Sequence, residues 1–191
     1  DVRSDSGIAV SVRERPEQLP ELTVESRVAA LYGHDIATRI RDTLERLGAT
    51  DLDVRVDDSG ALPFVLMARL EAAVKRLHPD TITEALPPRT VERTPSARNR
   101  LRRSRLYLPG DTPKFFVNAG LHRPDAVILD LEDSVPTDEK DSARLLVRNA
   151  LRAVDFHDAE VLVRVNALPA GLDDIALLAP HGVQGFVLPK V

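Results

Sequence analysis

The 191-residue chain is 43% hydrophobic and 29% charged with a formal net charge of -4, the balance of a globular protein that can bury a sizeable core and that lacks the basic excess of a nonspecific nucleic-acid binder. It has no cysteine, which excludes disulfides, thiol nucleophiles and thiolate metal sites, so oxygen and nitrogen groups must carry any chemistry. No apolar run reaches the roughly 20 residues of a membrane span and the first six residues do not form a secretory leader, so a cytoplasmic protein with no membrane and no nucleic-acid partner is expected.

Residues 8–13 and 22–25 alternate apolar and polar side chains, the period of half-buried strands, with Pro16 and Pro20 in the connection. They read as a β-hairpin-like start. From 28 to 47 the apolar residues Val28, Leu31, Tyr32, Ile36, Ile40, Leu44 and Leu47 recur every three or four positions, and Gly48 is placed to end that helix. Residues 52–56 alternate again, 57–60 form a turn, and Pro63 suits the first turn of a second helix through Leu77. The order ββαβα predicts a small α+β domain over 1–78.

Between 79 and 100, Pro79, Pro87, Pro88 and Pro95 interrupt every periodicity, and a semi-stiff linker is expected there. Arg98, Arg100, Arg102, Arg103 and Arg105 follow, a cluster that is more often a solvated linker than a phosphate site. From 101 to 191 strand and helix alternate. Leu106 to Leu108, Ala126 to Asp130, Val161 to Val165 and Phe186 to Leu188 are near-continuous apolar strands with helices near 113–119, near 139–151 and before the last strand. That pattern indicates a parallel sheet buried on both faces, and four strands fit the first half of a (β/α)8 TIM barrel. The segment after the first strand, 109–113, lacks the glycine spacing of a dinucleotide fingerprint. The fold class is therefore α/β, a small carrier-sized domain followed by half a barrel. The chain begins at Asp1 rather than methionine and stops after a strand, so it reads as a fragment, and an unpaired strand edge there predicts association.

Barrel enzymes build their sites at the carboxyl ends of strands. Those positions hold Asp130, Glu132 and Asp133 after the second strand, Arg164 and Asn166 at the third, and Lys190 at the fourth. Carboxylates beside an arginine and a lysine suit a divalent cation and an anionic substrate, whereas the bland reading has Glu132 and Asp133 capping a helix and Arg164 in an interior ion pair. The five histidines show no zinc spacing and are assigned to helix surfaces or loops, and no Gly-x-Ser-x-Gly elbow is present.

The strings Arg103-Ser-Arg-Leu-Tyr-Leu-Pro-Gly110, Leu129-Asp-Leu-Glu-Asp-Ser-Val135, Val163-Arg-Val-Asn166 and Leu188-Pro-Lys190, with Lys140-Asp-Ser-Ala-Arg144 between them, together resemble the citrate lyase β-subunit and CoA-ester lyase family (HpcH/HpaI aldolase/citrate lyase). Asp5-Ser-Gly7, Tyr32-Gly33, Val56-Asp-Asp-Ser-Gly-Ala-Leu62 and Ala68-Arg-Leu-Glu-Ala72 resemble the γ-subunit of citrate lyase, its acyl carrier protein. The resemblance implies that Ser6 carries a covalent phosphoribosyl-dephospho-CoA group, making the domain a phosphoprotein. It also implies a citryl-ACP lyase that cleaves a citryl thioester to oxaloacetate and an acetyl thioester.

In that reading Arg164 clamps a substrate carboxylate, Tyr107 and Lys190 contribute to substrate binding, and Glu132 and Asp133 act around magnesium through its water ligands. The family's direct metal ligands lie on later strands, so residues 1–191 alone are expected to be inactive. The implied partners are the α transferase subunit and other citrate lyase subunits, in an oligomer. The first strand-helix loop offers Thr112, Asn118 and only Lys114, which leans toward a carrier-bound substrate, although the arginines before Leu106 could reach CoA phosphates from another direction. Two alternatives stay open: a free acyl-CoA lyase or thioesterase of malyl-CoA or citramalyl-CoA type with a vestigial carrier domain, and a noncatalytic carrier and assembly module.

Overall fold

The computed structural model describes residues 2–4, 8–14, 19–87 and 94–190, and the chain divides into two compact units, Asp1–Pro88 and Arg89–Val191. Ser6, the residue matched to the prosthetic-group serine, lies outside the described residues. No helix among the described residues is long and apolar enough to cross a membrane.

The first unit contains β1 (Val2–Ser4), β2 (Ile8–Arg13), β3 (Leu22–Ser26), α1 (Ala29–Leu47), β4 (Asp53–Asp58) and α2 (Pro63–Leu77). Its sheet runs β1-β2-β4-β3, with β3 parallel to β4 and the other pairs antiparallel. The expected hairpin of β2 with β3 does not form. The helix-linked crossover from β3 to β4 lays β4 beside β3, and β2 takes the remaining edge of β4, pairing Ile8 with Asp58. Alternation puts Val54 and Val56 of β4 and Ile8 and Val10 of β2 into the core beside Ile36, Ile40, Leu44 and Leu47 of α1. Gly48, at φ 67°, ends α1 in the left-handed conformation that glycine adopts without steric cost.

Leu31 and Tyr32 belong to the apolar stripe of α1 yet are 81% and 57% exposed. Length accounts for this: 19 helical residues span about 28 Å, whereas a six-residue strand spans about 20 Å, so the first turns of α1 overhang the sheet. At the sheet end below them, Asp58 accepts hydrogen bonds from Ser26 Oγ at 2.7 Å and from the Gly60 and Ala61 amides at 2.9 and 2.7 Å, which closes the turn into α2.

The second unit contains β5 (Arg105–Pro109), α3 (Lys114–Val117), β6 (Ala126–Asp130), α4 (Lys140–Ala153), β7 (Glu160–Arg164), α5 (Gly171–Leu178) and β8 (Gly185–Val187). All four strands are parallel, in the spatial order β5-β6-β7-β8. A doubly wound sheet reverses direction at its first strand, whereas this order advances one strand at a time, as a barrel wall does. Every residue of β6 is buried, and Val161 and Val163 of β7 are fully enclosed with Leu146, Val147 and Ala150 of α4. The expected helix near 113–119 is a four-residue α3 followed by a 3-10 turn, Ala119–His122.

The segment expected to be a linker over 79–100 is tied down at both ends, each within its own unit. Ala85 is buried and its amide donates to Glu71 Oε2 at 3.0 Å, while Arg100 donates to the carbonyls of Asp125 and Asp158 at 3.1 and 2.6 Å. Only 88–93 lie outside the described residues there.

Gly171 opens α5 against the preceding loop, where an added Cβ would stand 2.2 Å from the Asn166 carbonyl oxygen. Gly171→Ala is therefore expected to destabilise the second unit by about 1–3 kcal/mol, as overpacking against backbone does, with the shift read in urea unfolding of the whole chain.

Candidate active site

The parallel register aligns Pro109 with Asp130 and Asp130 with Arg164, so the last residues of β5, β6 and β7 form one row. Asp130 and Arg164 meet as a two-pronged pair, Nε to Oδ1 and Nη2 to Oδ2, both at 2.7 Å. Arg164 Nη1 reaches Glu132 Oε2 at 3.1 Å and Asp133 Oδ2 at 3.3 Å. Lys190 stands beyond them, 2.9 Å from Glu132 Oε1 and 3.8 Å from Asp133 Oδ1. The Tyr107 ring lies with its centroid 5.5 Å from the guanidinium carbon of Arg164, within cation–π range.

Of the residues expected at the barrel end, Tyr107, Asp130, Glu132, Asp133, Arg164 and Lys190 are thus brought together, whereas Asn166 turns to Asp174. The Nε/Nη2 edge of Arg164 is occupied by Asp130, so the interior ion pair exists, and Nη1 is the part of the guanidinium shared with the outer carboxylates.

Asp130 anchors this arrangement. It is 3% exposed and also accepts from the Glu132 amide at 2.9 Å and the Ser134 amide at 3.3 Å. Burial alone would push its carboxyl up, but the hydrogen bonds from Arg164, Ser134 and Glu132 outweigh that and hold it below the ordinary carboxylate value. The Asp130 hydrogen bond first, and then the charges of Asp130, Glu132 and Asp133, push the Arg164 guanidinium further up. Glu132 and Asp133 raise the Lys190 ammonium, through the Glu132 hydrogen bond above all. Gly110 brings the loop after β5 against this strand end: its amide donates to the Asp130 carbonyl at 2.8 Å, and a Cβ there would stand 2.6 Å from that oxygen.

The arginine cluster lies elsewhere. Arg102 forks onto Glu160, the first residue of β7, with Nη2 at 2.7 Å from Oε1 and Nε in a second short contact, while Arg103 faces Asp125 at 3.3 Å. The Ser104 amide and the Arg103 guanidinium hold the Asp125 carboxyl down at about 2. These contacts sit at the amino ends of the strands, opposite Arg164, so Arg100 and Arg102 staple the bottom of the sheet rather than serve a phosphate beside the site. Of the histidines, His181 is buried rather than on a surface.

Sequence reasoning left Lys140, Arg144 and Asp174 without roles. Asp174 is fully buried, pairs with Arg144 Nε at 2.6 Å, and accepts from both the amide and Nδ2 of Asn166 at 2.8 Å. Lys140 Nζ donates to the Leu131 carbonyl at 2.6 Å and to that of Glu132. The i, i+4 spacing of Lys140 and Arg144 was the available signal.

Among the described residues no three acidic or histidine side chains are grouped to hold a metal ion. Glu132 and Asp133 are two neighbouring carboxylates, which fits a magnesium ion held through water, because that ion keeps several waters and takes one or two protein carboxylates.

The family described as HpcH/HpaI aldolase/citrate lyase matches residues 103–191, and the family described as malonate decarboxylase delta subunit matches residues 2–77. The β-subunit of citrate lyase from Leuconostoc mesenteroides subsp. cremoris is 43% identical over 94 residues, 48% of this chain and 31% of that protein. The (3S)-malyl-CoA thioesterase of Cereibacter sphaeroides (strain ATCC 17025) is 40% identical over 91 residues, 47% of this chain and 32% of that protein. The solved structure of the protein CitE from Mycobacterium tuberculosis in complex with magnesium and pyruvate aligns with a TM-score of 0.39 and 35% identity, covering 48% of this chain and 38% of that one. The chain spans about a third of the length of the curated relatives it matches.

Because the folded value for Asp130 lies below the ordinary 3.8, its contribution to stability is present above that value and is lost as pH falls through the lower folded value. Asp130→Asn is expected to cost about 2–4 kcal/mol at neutral pH, since it leaves Arg164 without its main partner, and to flatten the acid limb. Urea unfolding at a series of pH values checks both.

Proposed function

We propose that this chain carries part of a CoA-ester lyase that breaks a carbon–carbon bond in a 3-hydroxyacyl thioester, with citryl thioester on a carrier as the preferred substrate. The observation that carries the proposal is the row of Asp130, Arg164, Glu132, Asp133 and Lys190 at the carboxyl ends of three adjacent parallel strands. The similarity of residues 103–191 to citrate lyase β-subunits and malyl-CoA thioesterases supports the class.

The reaction removes the hydroxyl proton of the citryl group, breaks the bond between the hydroxyl-bearing carbon and the thioester α-carbon, and leaves the electron pair on the acetyl thioester as an enolate. Protonation of that enolate gives the acetyl thioester, and the other half departs as oxaloacetate. Positive groups must meet the negative charge that substrate carboxylates bring. Arg164 supplies it from a fixed position, because Asp130 orients the guanidinium and Tyr107 covers its face, leaving Nη1 directed at the outer carboxylates and at an incoming anion.

Lys190 adds a mobile cation at the rim, where it is exposed. Glu132 and Asp133 would hold a magnesium ion through its water ligands. When bound, that ion polarises the α-oxo acid oxygens and offsets their charge.

The first unit would be the acyl carrier, with phosphoribosyl-dephospho-CoA on Ser6 delivering the thioester and an α transferase subunit loading it. Its similarity to the malonate decarboxylase delta subunit family supports a carrier role. A covalent arm raises the local thioester concentration without any new contact.

In the full-length protein, oxaloacetate release from citryl thioester is expected to fall about 10²–10³-fold in Arg164→Lys and Glu132→Gln, with malyl-CoA turned over more slowly than citryl thioester. A coupled malate dehydrogenase assay measures the oxaloacetate from citryl thioester and phenylhydrazine trapping measures the glyoxylate from malyl-CoA, and faster cleavage of malyl-CoA would move the assignment to the free acyl-CoA class. Intact mass of protein from its own host is expected to show the adduct, and peptide mapping to place it on Ser6. An unmodified Ser6 beside working attachment machinery would make the first unit vestigial.

A further inference from the structure

The two loops that carry the site are fastened to one face of one helix. Lys140 and Arg144 stand one turn apart on α4, the spacing that stacks side chains on a common face. The first reaches up to the loop after β6, where its ammonium donates to the carbonyls of Leu131 and Glu132. The second reaches the loop after β7 through Asp174, whose other oxygen holds Asn166 by backbone and side chain together. Lys140 thereby fixes the backbone from which Glu132 projects, and Asp174 holds the backbone two residues beyond Arg164.

From this we infer that Lys140 and Arg144 are positioning residues of the site, a pair that sets the separation of the β6 and β7 loops and so the placement of Glu132 and Asp133 against Arg164. The inference deepens the lyase reading and rests on it for its activity readout.

Three observations carry it beyond ordinary packing. A lysine whose donors go to two consecutive carbonyls holds those peptide planes in one orientation, and the Glu132 amide on the same stretch is bound to Asp130, so the loop is pinned from both sides. Asp174 is fully buried, so its charge requires the Arg144 partner and the Asn166 donors, and the three stand or fall together. Gly171 then packs so closely on Asn166 that the loop has no room to shift toward α5. Burial lowers the Lys140 ammonium from its ordinary value while Asp130, Asp174, Glu132 and Asp133 pull it back up, as expected for a cation set behind a carboxylate cluster. Displacing reacting groups by about 1 Å costs on the order of 10²-fold in rate, so a clamp that is remote from substrate still governs turnover.

The test uses the full-length protein and two kinds of variant at each position. Arg144→Gln and Lys140→Met remove the charge at similar length, and Arg144→Lys and Lys140→Arg keep it. We expect the charge-removing variants to lose about 10–100-fold in kcat with KM changed less than about threefold, and the charge-keeping variants to recover most of the loss. Amide hydrogen exchange supplies a readout independent of catalysis. The Asn166 amide in Arg144→Gln, and the Glu132 amide in Lys140→Met, should exchange at least tenfold faster, while amides in the middle of β6 and β7 keep their protection.

Unchanged local exchange, or equal damage from charge-keeping and charge-removing variants, would overturn the positioning role. A wild-type protein that cleaves no thioester would sink the lyase reading alone, and the exchange pattern would still decide whether the clamp exists.

Discussion

Asp130 and Arg164 face each other because β6 and β7 are parallel and end in the same register, and the rest of the second unit is arranged around that pairing. A buried carboxylate paired with a half-buried guanidinium is costly to desolvate and repays that cost only when its donors and acceptors are engaged. Asp130 meets the requirement with the guanidinium on one side and the backbone of its own following loop on the other. The carboxylate therefore does two things at once: it orients the arginine and it curls the chain so that Glu132 and Asp133 come round to the arginine's outer nitrogen. A residue that seems merely to satisfy an ion pair is what turns three strand ends into a charged pocket wall.

The second unit separates its charges by function along the strand axis. At the amino ends, Arg100, Arg102 and Arg103 saturate carbonyls and carboxylates of β6 and β7 and close the bottom of the sheet. At the carboxyl ends the ion pairs are graded, from the buried Asp130–Arg164 fork to the exposed Lys190 contact. Stability resides in the inner members and adaptability in the outer ones, because exposed pairs are worth little and rearrange easily when an anion or a cation arrives. The clamp from α4 belongs to the inner group by burial but acts on the outer one by position.

Much of this was legible in the chain. The four strands stand close to where the apolar runs placed them, although only the inner two, β6 and β7, are largely buried on both faces, while β5 and β8 are more open than expected. The polar residues following them were identifiable as a site, since charges directly beyond a buried strand need partners. Pairing was less readable. Periodicity tells which face of a strand is buried but not which neighbour it takes, so β2 and β3 looked like a hairpin although β4 lies between them. Nor could spacing show that Arg164 spends two nitrogens on Asp130, or that Asp174, 30 positions from Arg144, completes its charge. The stripe of α1 was legible as a stripe, but the exposure of its first members was not, because helix length against strand length is a property of the packed pair rather than of either segment.

The central place of β4 has a consequence for how the first unit comes into being. Both β2 and β3 hydrogen-bond to β4 and not to each other, so during synthesis β3 emerges with no strand to pair with, and β2 with only the short β1, until residues 53–58 have followed. Contacts of that sequence separation pay their loop-closure entropy before any reward arrives, which slows folding and makes it a late, all-together event. The ribbon of β1 and β2 is then joined to β3 only when β4 slots in between. A fault in β4 would therefore leave β2 and β3 unjoined and the sheet in two pieces.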